Sequence, residues 1–173
     1  ACVIDPSEAQ PIINFVEEKK IYLKYILNTH HHYDHIGGNE ELKKKYNSKI
    51  VGFKEDRNRI PGINEFVENN QIWKADNFEA KIYHIPGHTT GHIAYHFFKE
   101  KKIFTGDTLL INGTGRTDFQ NGSANDQYHS LFDRILKLDE RIIVFPANDY
   151  KGKQFITIGD EKKHNPRLTV KFK

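Results

Sequence analysis

The chain has 173 residues, of which 37% are hydrophobic, 12% aromatic and 28% charged; that is enough apolar material for one packed domain and argues against wholesale disorder. A net charge of +3, from 26 Lys and Arg against 23 Asp and Glu, is too small to argue for a nucleic-acid partner, and no apolar run approaches the roughly 18 to 20 residues that span a bilayer. The single cysteine, Cys2, excludes an internal disulfide framework and a thiolate zinc site, whereas the ten histidines are abundant and unevenly spread.

The chain opens with Ala1-Cys2-Val3-Ile4-Asp5 and contains no methionine, so it is expected to lack its natural start. Residues 2–6 read as the end of a strand whose hairpin partner is missing. Asp5-Pro6-Ser7-Glu8 predicts a helix start with Asp5 or Ser7 as cap, and the helix presents Ile12, Ile13, Phe15 and Val16 as its apolar face. Tyr22 to Asn28 predicts a strand running straight into Thr29-His30. Gly37-Gly38-Asn39 lets the backbone turn into a helix through about Tyr46, and Lys49 to Phe53 predicts the next strand. Residues 55–78 are ambiguous, with Ile72-Trp73 either a short strand or a packed loop. Glu79 to Ile85, His92 to Phe98 and Lys101 to Thr105 predict three strands, with a turn at Lys99-Glu100. Asp126 to Leu138 predicts an amphipathic helix with Leu131, Ile135, Leu136 and Leu138 on its apolar side, and Arg141 to Phe145 a buried strand. Short strands alternating with helices indicate the α/β class and a single domain over residues 1–173.

Chemistry concentrates just after strands, where layered α/β folds carry functional loops. In Thr29-His30-His31-His32-Tyr33-Asp34-His35, alternate residues of the loop can aim the same way, so His30 and His32 meet at one point and Asp34 and His35 turn to a neighbouring one. Imidazole and carboxylate together suit a divalent Zn, Fe or Mn ion without any thiolate. Pro86-Gly87-His88-Thr89-Thr90-Gly91-His92 follows a second strand and Gly106-Asp107-Thr108 a third, adding His88 and Asp107 as ligand candidates. His84, His96, His129 and His164 lack such context and read as structural or surface residues; His92 reads as a support for the site or a strand-packing residue.

Asp5-Pro6 after an early strand, THHHYDH, PGHTTGH and GDT together resemble the metallo-β-lactamase superfamily over essentially the whole chain. The resemblance implies an αββα sandwich with metals at one edge between two sheets, and an N-terminal set of strands and a segment beyond Lys173 that are missing here. It places His30, His32 and His88 at one metal site, Asp34 and His35 at a second, and Asp107 between the two.

Within the superfamily, the stretch from Gly113 through Arg116-Thr117-Asp118-Phe119-Gln120, and then Asn165-Pro166-Arg167-Leu168, resemble the persulfide dioxygenases (sulfur dioxygenases), which oxidise glutathione persulfide with O2 to sulfite and glutathione. That resemblance implies one Fe(II) per chain held by His30, His88 and Asp107, a two-histidine, one-carboxylate set with open positions, with Zn as the alternative metal. Phe145-Pro146-Ala147-Asn148-Asp149-Tyr150 aligns with a Pro-x-His-Asp-Tyr stretch whose histidine ligates the second metal; Asn148 is a poorer ligand, which favours a mononuclear centre. The rival is hydroxyacylglutathione hydrolase (glyoxalase II), similar in THHHYDHIGGN and PGHTTGH, in which two metals activate water against a thioester. A metal-binding relative silenced by Asn148 is a third reading. Both enzyme readings imply a glutathione conjugate, with O2 as co-substrate for the dioxygenase, and Arg116, Tyr150 and Arg167 as substrate-binding candidates; Arg116 reads equally well as the structural partner of Asp118. The resemblance implies a cytoplasmic protein, or a mitochondrial one in a eukaryote, without nucleic-acid or membrane partners; monomer and homodimer stay open.

Overall fold

Four short strands fill the first part of the chain: β1 (Cys2–Ile4), β2 (Tyr25–Leu27), β3 (Lys49–Phe53) and β4 (Glu65–Val67), side by side in that order and all parallel. Parallel neighbours need crossover connections. These are α1 (Ala9–Lys19) between β1 and β2, and α2 (Tyr33–Ile36) with α3 (Asn39–Tyr46) between β2 and β3. The computed structural model describes residues 1–119, 121–148 and 152–169, and the chain divides into two compact units, Ala1–Glu68 and Asn69–Lys173.

In the first unit, Ala9, Ile13 and Val16 of α1 and Leu42 of α3 share one buried cluster with Ile26 of β2 and Ile50 of β3, so both helices pack on the sheet. Each helix stops where a residue enters the left-handed region, Lys20 after α1 (φ 52°) and Asn47 after α3 (φ 54°). Two expectations need correction. Phe15 is not on the buried face but 54% exposed. Neither Asp5 nor Ser7 caps α1: the cap position is Glu8, whose side chain makes no capping bond, while Asp5 is turned elsewhere. β4 and the short α2 lie where the sequence carried no periodic signal; β1 pairs with β2 in parallel.

The second unit holds β5 (Ile72–Ala75), β6 (Phe78–His84), β7 (Ile93–Phe97), β8 (Lys102–Gly106), β11 (Ile143–Pro146) and β12 (Ile156–Thr157), ordered β12-β11-β8-β7-β6-β5. Between β8 and β11 come the two-stranded ribbon of β9 (Leu109–Leu110) and β10 (Gly113–Thr114), then α4 (Ala124–His129); α5 (Ile158–His164) follows β12. All pairings in the large sheet are antiparallel except β8 with β11. Left-handed Asp76 and Lys101 lie in the turns that join β5 to β6 and β7 to β8. The helix predicted to Leu138 is regular only through His129; Ser130–Arg134 is a π turn and Ile135–Lys137 a 3-10 turn. The wider π turn lets Leu131 and Leu136, five apart, join Ile135 in one core with Ala94, Ile103, Val144 and Ile158. Two bonds hold it: Ser130 Oγ donates to the Pro86 carbonyl (2.7 Å), and Arg134 donates to the His84 carbonyl. Among the described residues, no helix is long and apolar enough to cross a membrane.

The contrast along α1 is testable by chemical denaturation. Ile13→Ala, which opens a cavity in the first core, is expected to destabilise by about 2–5 kcal/mol, whereas Phe15→Ala on the exposed face should stay within about 0.5 kcal/mol of wild type.

Candidate metal centre

The first unit gathers its imidazoles at the C-terminal end of β2. Asn28, Thr29 and His30 are all buried where the strand ends. The ring of His30 lies 4.6 Å from that of His32 and 4.1 Å from that of His35, centroid to centroid, while His31 faces the other way. Behind them stands Asp5. Its Oδ1 accepts the Thr29 amide (2.8 Å); its Oδ2 accepts the Thr29 hydroxyl (2.6 Å) and lies 3.2 Å from His35 Nδ1. Thr29 Oγ1 is in turn 3.0 Å from His30 Nδ1. Because the Thr29 hydroxyl spends its proton on Asp5, it accepts from His30, so the His30 proton sits on Nδ1 and the lone pair on Nε2. The same logic puts the His35 proton on Nδ1, facing a carboxylate that can only accept. Histidine ligands to metals are commonly oriented in this way.

Asp34 stands with His35, its Oδ2 3.4 Å from His35 Nε2, on a side chain 63% exposed at the start of α2. Asp34 and the His35 Nε2 therefore converge as a ligand-type pair. Asn28 fixes the far side of the loop, donating to the His35 carbonyl (3.1 Å) and accepting from Asn39 (2.7 Å). Gly37 has an ordinary φ of −59°, so it is not needed for a turn; a Cβ there would stand 2.3 Å from the Ser7 carbonyl oxygen, and glycine is what lets the loop lie against the start of α1.

The second unit builds its part around Asp107, just beyond β8. Its amide donates to His92 Nε2 (3.1 Å), its Oδ1 accepts from Asn148 Nδ2 (2.8 Å), and its Oδ2 lies 3.6 Å from His88 Nε2. His88 Nδ1 donates to the Arg116 carbonyl (2.8 Å), again leaving the lone pair on Nε2, toward the carboxylate. His92 thus supports the site by holding the Asp107 backbone. Asn148 presents its NH2 to Asp107, the face of an amide that cannot ligate a metal. Gly115 makes this packing feasible: a Cβ there would fall 2.0 Å from the Asp107 carbonyl oxygen and 3.0 Å from His88 Nδ1.

The substrate-binding candidates fare differently. The Arg116 guanidinium forks onto Asp118 (2.8 and 3.0 Å) and lies 5.5 Å from the Phe119 ring, so its backbone serves His88 while its side chain is engaged on the surface. Those bonds draw the Asp118 carboxyl down to about 2. Arg167 is exposed, with its amide donating to Asn165 Oδ1 (2.9 Å). Tyr150 lies outside the described residues. The remaining histidines have structural partners: His84 Nε2 meets the Thr90 carbonyl (2.8 Å), His129 pairs with Asp133 (2.7 Å), and His96 stacks on Tyr83, its basicity lowered by burial and then by Lys81. His164 is exposed. Asp5 is the residue sequence reasoning misassigned; the signal was the Asp-Pro pair directly after a strand, read as a helix start.

The sequence profile of the metallo-beta-lactamase superfamily matches residues 2–71 and 74–147. The chain belongs to this superfamily. It is 47% identical to a hydroxyacylglutathione hydrolase of Pelagibacter ubique, an alignment covering 99% of this chain and 72% of that protein. It is 42% identical to a hydroxyacylglutathione hydrolase of Rhodospirillum rubrum over 87% of this chain, but spans only 58% of that protein's length. The crystal structure of ETHE1 from Myxococcus xanthus superimposes with a TM-score of 0.87 at 33% identity, covering 96% of this chain and 73% of that one. The chain therefore has the metal-binding metallo-β-lactamase fold. The donors fit such an ion: His30, His35 and His88 each have Nδ1 occupied by a carbonyl, hydroxyl or carboxylate, and Asp34 and Asp107 each set an oxygen 3.4–3.6 Å from an imidazole Nε2.

Thr29→Val removes the hydroxyl link between Asp5 and His30 at nearly constant volume. It is expected to weaken Zn2+ binding about 10- to 100-fold, and Thr29→Ser to restore most of it, read by titration against a chromophoric chelator.

Proposed function

We propose that the chain is a hydroxyacylglutathione hydrolase, cleaving the thioester of an S-hydroxyacylglutathione with water to give a hydroxy acid and glutathione. One observation carries this reading: 47% identity across 99% of the chain to a protein of that name. As an enzyme of the metallo-β-lactamase superfamily it would draw its ligands from His30, His32 and His88 for one ion and Asp34 and His35 for another, with Asp107 serving both. A divalent ion held there supplies a water of lowered pKa and polarises the thioester carbonyl.

The chain's own residues prepare that chemistry. Asp5 through Thr29 keeps a proton on His30 Nδ1, and the Arg116 carbonyl keeps one on His88 Nδ1, so each ring offers Nε2. His92 and Asn148 fix the Asp107 carboxylate from its backbone and from Oδ1. For the carboxylates of glutathione, exposed Arg167 is the readier arginine; Arg116 would first have to leave Asp118. Tyr150 is retained as a candidate beside them.

A second reading, the persulfide dioxygenase with one Fe(II) on His30, His88 and Asp107, is favoured by Asn148, whose amide donates to Asp107 where the superfamily pattern places a metal-binding histidine. Anaerobic purification with elemental analysis, followed by lactoylglutathione hydrolysis beside oxygen uptake with glutathione persulfide, separates the two. Thioester cleavage without oxygen uptake is expected; oxygen uptake without cleavage would reverse the choice. Asp107→Ala should lose metal and activity together, and full metal content in that variant would count against the ligand assignment. Asn148→His should raise the metal bound per chain.

A further inference from the structure

His31 is the histidine of the loop that the metal centre does not use. It lies between His30 and His32 yet turns away from both, with ring centroids 6.5 and 5.2 Å from theirs. Its Nδ1 meets Asp56 Oδ2 at 3.3 Å. Asp56 is fully buried at the end of the 3-10 turn Lys54–Asp56 that follows β3, and its other oxygen is paired with the Arg59 guanidinium. The turn is firmly seated: the Asp56 carbonyl accepts the amides of Arg59 (2.8 Å) and Ile60 (3.0 Å), and Ile60 belongs to the first unit's core.

A buried carboxylate with a cation on one oxygen is a fixed acceptor. The Arg59 guanidinium holds one oxygen of Asp56, and a carboxylate oxygen accepts; the His31 proton that faces the other oxygen is therefore on Nδ1. We propose that Asp56 is a positioning residue for the metal loop: by holding His31 it pins the peptide between His30 and His32 and so sets the 4.6 Å separation of their rings. Asp5 grips the two ends of the loop at Thr29 and His35, and Asp56 grips its middle, from the opposite direction in sequence. The inference rests on His30 and His32 being metal ligands, as proposed above.

The test uses His31, because removing Asp56 would leave the half-buried Arg59 cation without its partner and endanger the fold. His31→Asn places an amide N–H near the position of Nδ1; His31→Leu and His31→Ala have no donor. Zn2+ affinity is measured by chelator competition, and the thermal midpoint on the metal-stripped protein. Affinity is expected to fall at least about 10-fold in the Leu and Ala variants and to stay within about 3-fold of wild type in the Asn variant, with the metal-stripped variants still melting cooperatively. Wild-type affinity in the donor-less variants, or an Asn variant as weak as Leu, would overturn the proposal. A stripped midpoint that drops in the donor-less variants while affinity holds would also overturn it, showing a contact that serves the fold alone. A wild-type chain that binds no zinc would bring down the metal-centre reading and this proposal with it, and the wild-type titration identifies that case.

Discussion

The carboxylate of Asp5 accepts hydrogen bonds from both ends of the histidine loop, and the order of that loop depends on it. Thr29 marks the point where β2 stops and His35 lies in the first turn after it. One side chain bonded to both closes the loop, which forces the intervening rings together. A carboxylate that is nearly inaccessible to water would be costly if unbonded; here the Thr29 amide and hydroxyl and the His35 ring satisfy it. Its backbone conformation reinforces the choice of residue. Asp5 has φ 48°, a left-handed geometry that short polar side chains tolerate better than most.

A parallel design recurs in the second unit with different chemistry. There the fixed point is a peptide carbonyl, that of Arg116, delivered to His88 by a backbone that can pass so close to Asp107 only because residue 115 is glycine. Asp107 itself is held through its amide by a histidine and through its side chain by an amide. Both supports hold Asp107 by hydrogen bonds, one at its backbone and one at Oδ1, and its Oδ2 lies beside His88 Nε2.

Much of this was readable from the residues. The strand at Lys49–Phe53 and the helix ending at Tyr46 fall where the pattern put them, because buried parallel strands are continuous apolar runs and α3 is bounded by glycine and asparagine. The clustered histidines and the strand-loop placement of His88 and Asp107 point to metal binding from the residues alone. What escaped were features that periodicity does not encode. Asp5 looked like a helix cap because capping and loop-bracing use the same residue types. The π turn at Ser130–Arg134 arises from bonds to Pro86 and His84, more than forty positions away. Asp56 sat in a stretch with no pattern at all. The choice between enzyme readings went further than local motifs could carry: the short stretches around Arg116 and Asn165 favoured the dioxygenase, whereas similarity summed over the chain favours the hydrolase.

The sequence adjacency of the loop imidazoles has a thermodynamic corollary. His30, His31, His32 and His35 lie within one short segment, so they form a chelating tract even when no strand or helix exists. Added zinc or nickel will bind the denatured ensemble as well as the native one, and ligand-linked stabilisation reflects only the difference between the two affinities. Melting shifts on metal addition will therefore understate the native affinity, giving an apparent dissociation constant that is too large. Refolding with excess transition metal also risks capture by His31, a mis-chelated state that the native contact with Asp56 would otherwise exclude.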